Sequence, residues 1–337
     1  MNPAFASHSG FQVFRLKVCL FGILSIFWLS YDSHASFNGF QVHPHSIPLE
    51  EIFSGGPPKD GIPALMNPKF LPADKAEFLS PHDRVLGIQE GHKTKAYPIA
   101  ILNWHEIVND TLDGIPVVIT YCPLCGTGMG FLRMVGNHSL TFGVSGLLYQ
   151  SDVLMYDHQT ESLWSQIARQ AVTGNYIGQD LEPIFLEHTT WNAWQKRHPD
   201  TLVLSPETGF ARDYSRDPYE AYALTNQLMF PPAIQDDRLP SKAWVLGVEV
   251  NGKFKAYPFS TLEEIGPAFF DSFHGQEYVV CWDKQARSAK VVDQRGRPFQ
   301  SLMAYWFAWY VFHPDTEVFT WDSRQATPEM KSLNTVC

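Results

Sequence analysis

The stretch Thr120-Tyr121-Cys122-Pro123-Leu124-Cys125-Gly126-Thr127-Gly128 concentrates the chemistry of this chain. A Cys-Pro-x-Cys-Gly turn after a β-branched run has the shape of a metal knuckle. In such a turn the first thiolate accepts backbone N–H groups, and Gly126 supplies the left-handed conformation that closes it. Those bonds and a metal ion both favour thiolate over thiol. A tetrahedral site needs further donors, and no second knuckle follows. His105 and His158 are the candidate ligands, and Met129 is a softer donor suited to copper. Thiolates with imidazole point to copper or zinc rather than to a hard cation.

Two polar constellations flank the turn. In Trp104-His105-Glu106-Ile107-Val108-Asn109-Asp110, Glu106 and Asp110 can orient a ligand histidine. His105 also shares an apolar face with Leu102 and Val108, so it reads equally as a core histidine. In Asp157-His158-Gln159-Thr160-Glu161-Ser162-Leu163-Trp164-Ser165-Gln166, His158 can act as ligand or general base with Glu161 beside it, or the segment is a polar hairpin tip. Ser151-Asp152 can serve the same pocket. Candidate catalytic groups are Glu106, Asp157 and Glu161. Two other readings of the cysteines stay open. One is a metal-free thiol–disulfide oxidoreductase, although Gly126-Thr127-Gly128 argues against the helix that a thioredoxin-like dithiol needs. The other is a non-catalytic interaction module with a Cys122–Cys125 disulfide. Cys281 reads as a small buried hydrophobe and Cys337 as free. The chain has no G-x-S-x-G, Walker loop, G-x-G-x-x-G or H-E-x-x-H, which disfavours serine-elbow acyl transfer, nucleotide binding and zincin chemistry.

The elements that must position these groups come from an internal repeat. Val85-Leu86-Gly87-Ile88 and Lys95-Ala96-Tyr97-Pro98 return 160 positions later as Val245-Leu246-Gly247-Val248 and Lys255-Ala256-Tyr257-Pro258, and Cys281 falls beside Cys122. Trp191-x-x-Trp194-x-x-x-His198-Pro199-Asp200-Thr201 returns as Trp306-x-x-Trp309-x-x-x-His313-Pro314-Asp315-Thr316. From Cys122 to Trp191 is 69 positions and from Cys281 to Trp306 is 25, so the first copy carries 44 more residues, and these hold the polar segments 145–152 and 157–166. The second copy has Ile265 in place of His105 and no partner for Cys125. One copy therefore holds the polar apparatus and the other keeps the scaffold. The pattern predicts a hairpin across Glu90-Gly91, a helix over 99–108, a strand over 117–121, a hairpin across Gly136-Asn137, and a helix over 191–197 whose tryptophans pack in the core. The fold class expected is α+β: two unequal copies of a mainly antiparallel β unit with short helices, the second copy reduced.

With 14% aromatic and 18% charged residues the chain is a folded protein rather than a disordered one. A formal charge of −10 without a basic block excludes nucleic acid as a natural partner, leaving a metal ion or a small molecule. Arg15 and Lys17 precede the apolar run Val18–Leu29, and Ser33-His34-Ala35 fits a cleavage site. Residues 1–35 therefore read as a signal peptide. Residues 36–80 follow as an N-terminal extension, 81–205 as the first repeat, 206–240 as a connector and 241–337 as the second repeat. The expected product is soluble, periplasmic or secreted, with no stable membrane insertion.

Several of these motifs carry a resemblance. Asp83-Arg84-Val85-Leu86-Gly87-Ile88, His105-Glu106-Ile107-Val108-Asn109-Asp110, Val118-Ile119-Thr120-Tyr121-Cys122-Pro123-Leu124-Cys125-Gly126, Phe142-Gly143-Val144-Ser145-Gly146-Leu147-Leu148-Tyr149, Asp152-Val153-Leu154-Met155-Tyr156-Asp157 and Glu161-Ser162-Leu163-Trp164-Ser165-Gln166 occur in this order. Together they resemble the bacterial "domain of unknown function 3179" family from about Phe53 onward. The resemblance implies an exported bacterial protein and carries no reaction with it. It also implies a variable position at His158, which favours His105 as the ligand.

Overall fold

Runs of β-branched and aromatic residues, cut every few positions by Gly, Asn and Asp, dictate short strands joined by tight turns. The computed structural model describes residues 36–321 and Cys337. The expected signal peptide, with Cys19, lies outside those residues. Of the described residues 42% are strand and 13% helix, and five antiparallel or mixed sheets form the blades of a β-propeller. Among the described residues no helix is long and apolar enough to cross a membrane.

This corrects the α+β expectation. The helices are one or two turns long and connect strands: Ile99–His105 joins blade one to blade two, and Trp191–Arg197 joins two strands of blade one. The chain is not two copies of one α+β unit. Blade one is Glu187–Thr190, Arg84–Glu90, Lys93–Pro98, Leu202–Leu204 and Phe70–Pro72; blade two is Pro183–Ile184, Thr127–Leu132, Ile115–Cys122 and Ile107–Leu112. Blade three is Gln170–Ala171, Leu163–Ser165, Asp152–Asp157, Phe142–Tyr149 and Ile52–Ser54. Blade four is Ser301–Tyr305, Trp244–Val250, Lys253–Pro258 and Glu317–Val318; blade five is Ala268–Phe273, Gln276–Asp283, Ser288–Val292 and Pro298–Phe299.

The chain nests these blades. After Ile52–Ser54 of blade three it starts blade one, builds three strands of blade two and the rest of blade three, closes blade two with Pro183–Ile184, and returns to finish blade one with strands that flank Trp191–Arg197. It then starts blade four, builds blade five, and returns to finish blade four around Trp306–Phe312. Registers match between the two circuits: Gly87 faces Glu187 as Gly247 faces Leu302, and Ala96 faces Val203 in parallel as Ala256 faces Val318. The surplus residues of the first circuit therefore fold as an entire blade, the third, completed by Ile52–Ser54 from the N-terminal extension.

Buried polar groups also recur. Lys95 and Tyr97 both donate to Asp110 Oδ2 (2.7 and 2.6 Å), and Lys255 and Tyr257 do the same to Asp271 Oδ2. Trp194 Nε1 donates to Thr201 Oγ1 at 3.0 Å, and Trp309 Nε1 to Thr316 Oγ1 at 2.9 Å. Both Trp191 and Trp194 are buried, in keeping with a packing role. Asp110 is thus a scaffold residue, satisfied by side chains of blade one where that blade meets its own.

Two glycines are needed because tryptophans lie on them. A Cβ on Gly87 would meet the Trp194 ring at 2.3 Å, and one on Gly247 would meet Trp309 at 2.2 Å. Gly87→Ala should therefore lower stability by about 1–3 kcal/mol through overpacking. Thermal unfolding checks this, and an unchanged midpoint would show that the indole can move aside.

Register changes one alignment read from the sequence. Cys122 pairs with Thr127 across a four-residue turn, and the matching pair in blade five is Asp283 with Ser288. Asp283 thus occupies the place of Cys122, and Cys281 that of Thr120. One extra residue before Ala268 shifts the offset from 160 to 161. Cys281 and Cys337, expected to be inert and free, form a disulfide.

Candidate functional site

Strand Ile115–Cys122 is apolar and β-branched and is buried over most of its length, so its end is placed rigidly. Cys122 closes the strand, and the turn Pro123–Gly126 follows, with Cys125 N–H bonded to Cys122 O at 3.2 Å. Gly126 has φ +69°, and a Cβ there would lie 2.5 Å from the Trp244 ring of blade four. Tyr305 N–H donates to Cys125 O (2.9 Å) and Tyr222 Oη to Leu124 O (3.0 Å). The turn is thus fixed from three sides. Both cysteines are buried free thiols. Cys125 Sγ lies 3.3 Å from Ser151 O and Cys122 Sγ 3.9 Å from it, so the sulfurs face a backbone carbonyl rather than the N–H groups of their own turn.

Blade three brings the third group. Tyr149 pairs with Asp152 around the two-residue turn Gln150-Ser151, whose φ values are +53° and +66°. Such a turn ordinarily uses Asn-Gly. Here non-glycine residues hold a conformation that costs of order 1 kcal/mol or more each. The connector restrains the turn: Ser151 Oγ donates to Phe230 O at 2.6 Å, and Gln150 Oε1 accepts from Ala233 N–H at 2.8 Å. Gln150 also donates to Glu51. The result aims Asp152 at the thiols. One donor atom from each of Cys122, Cys125 and Asp152 lies within 4.8 Å of the others, and all three residues are buried. This group could hold a metal ion.

Its electrostatics favour a cation. Asp152 Oδ2 accepts the Ile167 N–H (2.9 Å), but buried Oδ1 has no hydrogen-bond partner among the described residues. Burial pushes the Asp152 carboxyl up to about 7, against the pull of backbone donors. Burial, then the adjacent Cys122, pushes the Cys125 thiol well above its usual range, with Asp152 and Glu106 adding to the effect. Burial likewise raises Glu106 to about 7, opposed by a 3.3 Å bond from Tyr219 Oη. Among the described residues, no Lys, Arg or His side chain bonds to any of these four groups. Four acids are gathered out of water without a counter-charge, an arrangement that a bound cation would stabilise.

Neither histidine joins the cysteines. His105 ends Ile99–His105 and is buried, with Nδ1 2.7 Å from Pro63 O and Nε2 2.7 Å from Tyr214 Oη. Because a carbonyl only accepts, Nδ1 carries the proton and Nε2 accepts from the tyrosine. Burial lowers its basicity. The helix stops here, short of the expected 108, because Ile107 and Val108 pair with Thr120 and Ile119 as a strand. His158 is exposed, near Thr141 Oγ1 and edge-on to Tyr156. Asp157 is buried but satisfied by Thr160 and by Trp164 Nε1, which tie off its own loop. Glu161 is an exposed partner of Lys59. Gln166 bridges Thr120 and Thr127 beneath the turn. Of the candidate acids only Glu106 lies beside the thiols, in a cleft that also includes Leu124 of the turn and Val153, next to Asp152.

Sequence reasoning underrated Asp152. The available signal was a polar two-residue turn between two apolar runs, inside the segment that the second circuit lacks.

No curated protein and no solved structure matches the chain. A family model does, over residues 59–298, which is most of the chain. The chain belongs to the family described as "Protein of unknown function (DUF3179)".

Proposed function

We propose that this protein binds one transition-metal ion through Cys122, Cys125 and Asp152, and that the ion is zinc. The observation that carries the reading is the orphaned, buried Oδ1 of Asp152 beside two buried thiols. Two thiolates restrict the metal to the softer end of the series, copper or zinc. The carboxylate then favours zinc, which accepts mixed sulfur and oxygen ligands, over Cu(I). Three protein ligands with a fourth position left for water or a small molecule is the pattern of zinc sites that do chemistry rather than hold a fold. Donor separations of roughly 3–4 Å, set by metal–ligand bonds of about 2.0–2.3 Å, are compatible with a group contained within 4.8 Å.

The metal-free dithiol reading is weaker. Both sulfurs are buried, out of reach of a partner's disulfide, and the Cys125 thiol is pushed up rather than activated. Export is part of the proposal. The basic and apolar pattern of residues 15–35 supports it, and the Cys281–Cys337 disulfide fits an oxidising compartment.

Cobalt(II) substitution tests the ligand set. Reduced protein loaded with Co(II) should show thiolate-to-cobalt charge-transfer bands in the near ultraviolet, and X-ray absorption should fit two sulfur neighbours with oxygen in the remaining positions. A shell containing imidazole nitrogen would instead return His105 or His158 to the site.

A further inference from the structure

Glu106 holds an uncommon backbone conformation, φ +56° with ψ −33°, as the residue that ends Ile99–His105. Its N–H caps Leu102 O and its own O accepts from Tyr121 N–H. In the second circuit two residues share this work: Gly266 (φ +121°) caps Leu262 O, and Pro267 O accepts from Trp282 N–H. The first circuit therefore places a strained glutamate where glycine serves the same cap. Strain of this kind persists where the surroundings over-determine it, and it clusters at functional sites. The residue is buried, with 7% of its surface exposed. Among the described residues it is the sole charged group lining a cleft whose apolar walls include Leu124, Leu148, Val153 and Phe230. Leu124 belongs to the cysteine turn and Val153 adjoins Asp152, so the cleft abuts the metal group. Its cavity volume is about 80 Å³, with exposed Met229 among the lining residues.

We infer that this cleft binds a small molecule with an apolar body and a protonated amine, and that Glu106 holds the amine. A carboxylate with one long bond from Tyr219 keeps most of its acceptor capacity. In an apolar wall without a counter-cation it pairs with a cationic group and repels an anionic one. The inference rests on the metal reading in one respect: the cleft is the path by which this ligand comes alongside the ion.

n-Butylammonium, n-butanol and butyrate, titrated calorimetrically into metal-loaded protein at pH 8, test this, with metal content measured on the same samples. Butylammonium should bind at least about tenfold more tightly than butyrate, because a charge-assisted bond is worth more than the 1.4 kcal/mol that a factor of ten represents. Glu106→Gln, compared with the native protein at equal metal content, should lose that preference. Glu106→Gly, which suits the backbone, should also lose it and unfold at a temperature no lower than the native protein. Equal binding of butylammonium and butyrate, no binding of butylammonium, or full binding by Glu106→Gln overturns the inference. A preparation that takes up no metal yet binds butylammonium through Glu106 supports the cleft and removes only the metal reading.

Discussion

Serine in place of Cys122 or Cys125 should strip the metal from this protein. A ligand contributes more than the groups that merely orient ligands, and loss of one of those already costs roughly 10–100-fold in affinity. Each variant should therefore bind zinc at least about 100-fold more weakly, and protein purified without a chelating tag should emerge with little metal. Asp152→Ala should behave in the same direction. His105→Ala and His158→Ala should retain full metal content, because His105 is committed to Pro63 and Tyr214 and His158 is exposed near Thr141. Bound metal also stabilises the native state by mass action, about 4 kcal/mol at a free concentration 1,000 times Kd. The thermal shift given by added zinc should vanish in the cysteine variants along with the binding. A cysteine variant with full metal content would remove the turn from the site.

The second large effect is on pH dependence in the metal-free state. Burial raises Asp152 from 3.8 to about 7. An acid whose folded pKa lies above its unfolded value holds more protons when folded. Its burial then costs stability above the folded pKa, and the cost disappears as pH falls towards the unfolded one. For Asp152 that window runs from about 7 down to about 4. A gap of about three pH units, at 1.36 kcal/mol each, corresponds to roughly 4 kcal/mol. Glu106 acts in the same direction over a similar window, although the two acids interact and their effects do not add. Metal-free protein should therefore have a higher urea midpoint at pH 5 than at pH 8, against the usual trend of acid destabilisation. Asp152→Asn should flatten that dependence. Zinc should reverse it, because the ionised carboxylate becomes the ligand and protons compete with the metal. A metal-free midpoint that climbs steadily from pH 5 to pH 8 would contradict the burial argument.

The cysteine turn was legible because its chemistry is local: a β-branched strand, a Cys-Pro-x-Cys turn and a glycine lie within ten residues. The helix Trp191–Arg197 and the hairpin at Glu90-Gly91 were legible for the same reason. The third ligand was not. Asp152 reaches the thiols only because blade three packs beside blade two, and no sequence spacing encodes that contact. His105 misled for a related reason. Its apolar face and its nearness in sequence to the following strand fitted a ligand, but the helix ends at His105 and its ring turns to Pro63 and Tyr214. The 44 surplus residues looked like an apparatus inserted in a scaffold. With Ile52–Ser54 they form the third blade, whose Asp157 is satisfied by its own Thr160 and Trp164 and whose Gln166 is satisfied by Thr120 and Thr127 of blade two. The fold class was misjudged because helix-like signals such as Ile99–His105 are genuine but short, and the sheets dominate.

Metal stoichiometry measured on the reduced protein bears most directly on the central claim. Elemental analysis of protein purified without a chelating tag, and again after anaerobic reconstitution with zinc, should give about one ion per chain, removed by Cys122→Ser and by Asp152→Ala and kept by His158→Ala. No metal in either preparation of the native protein would contradict the account and leave Cys122 and Cys125 as a buried dithiol.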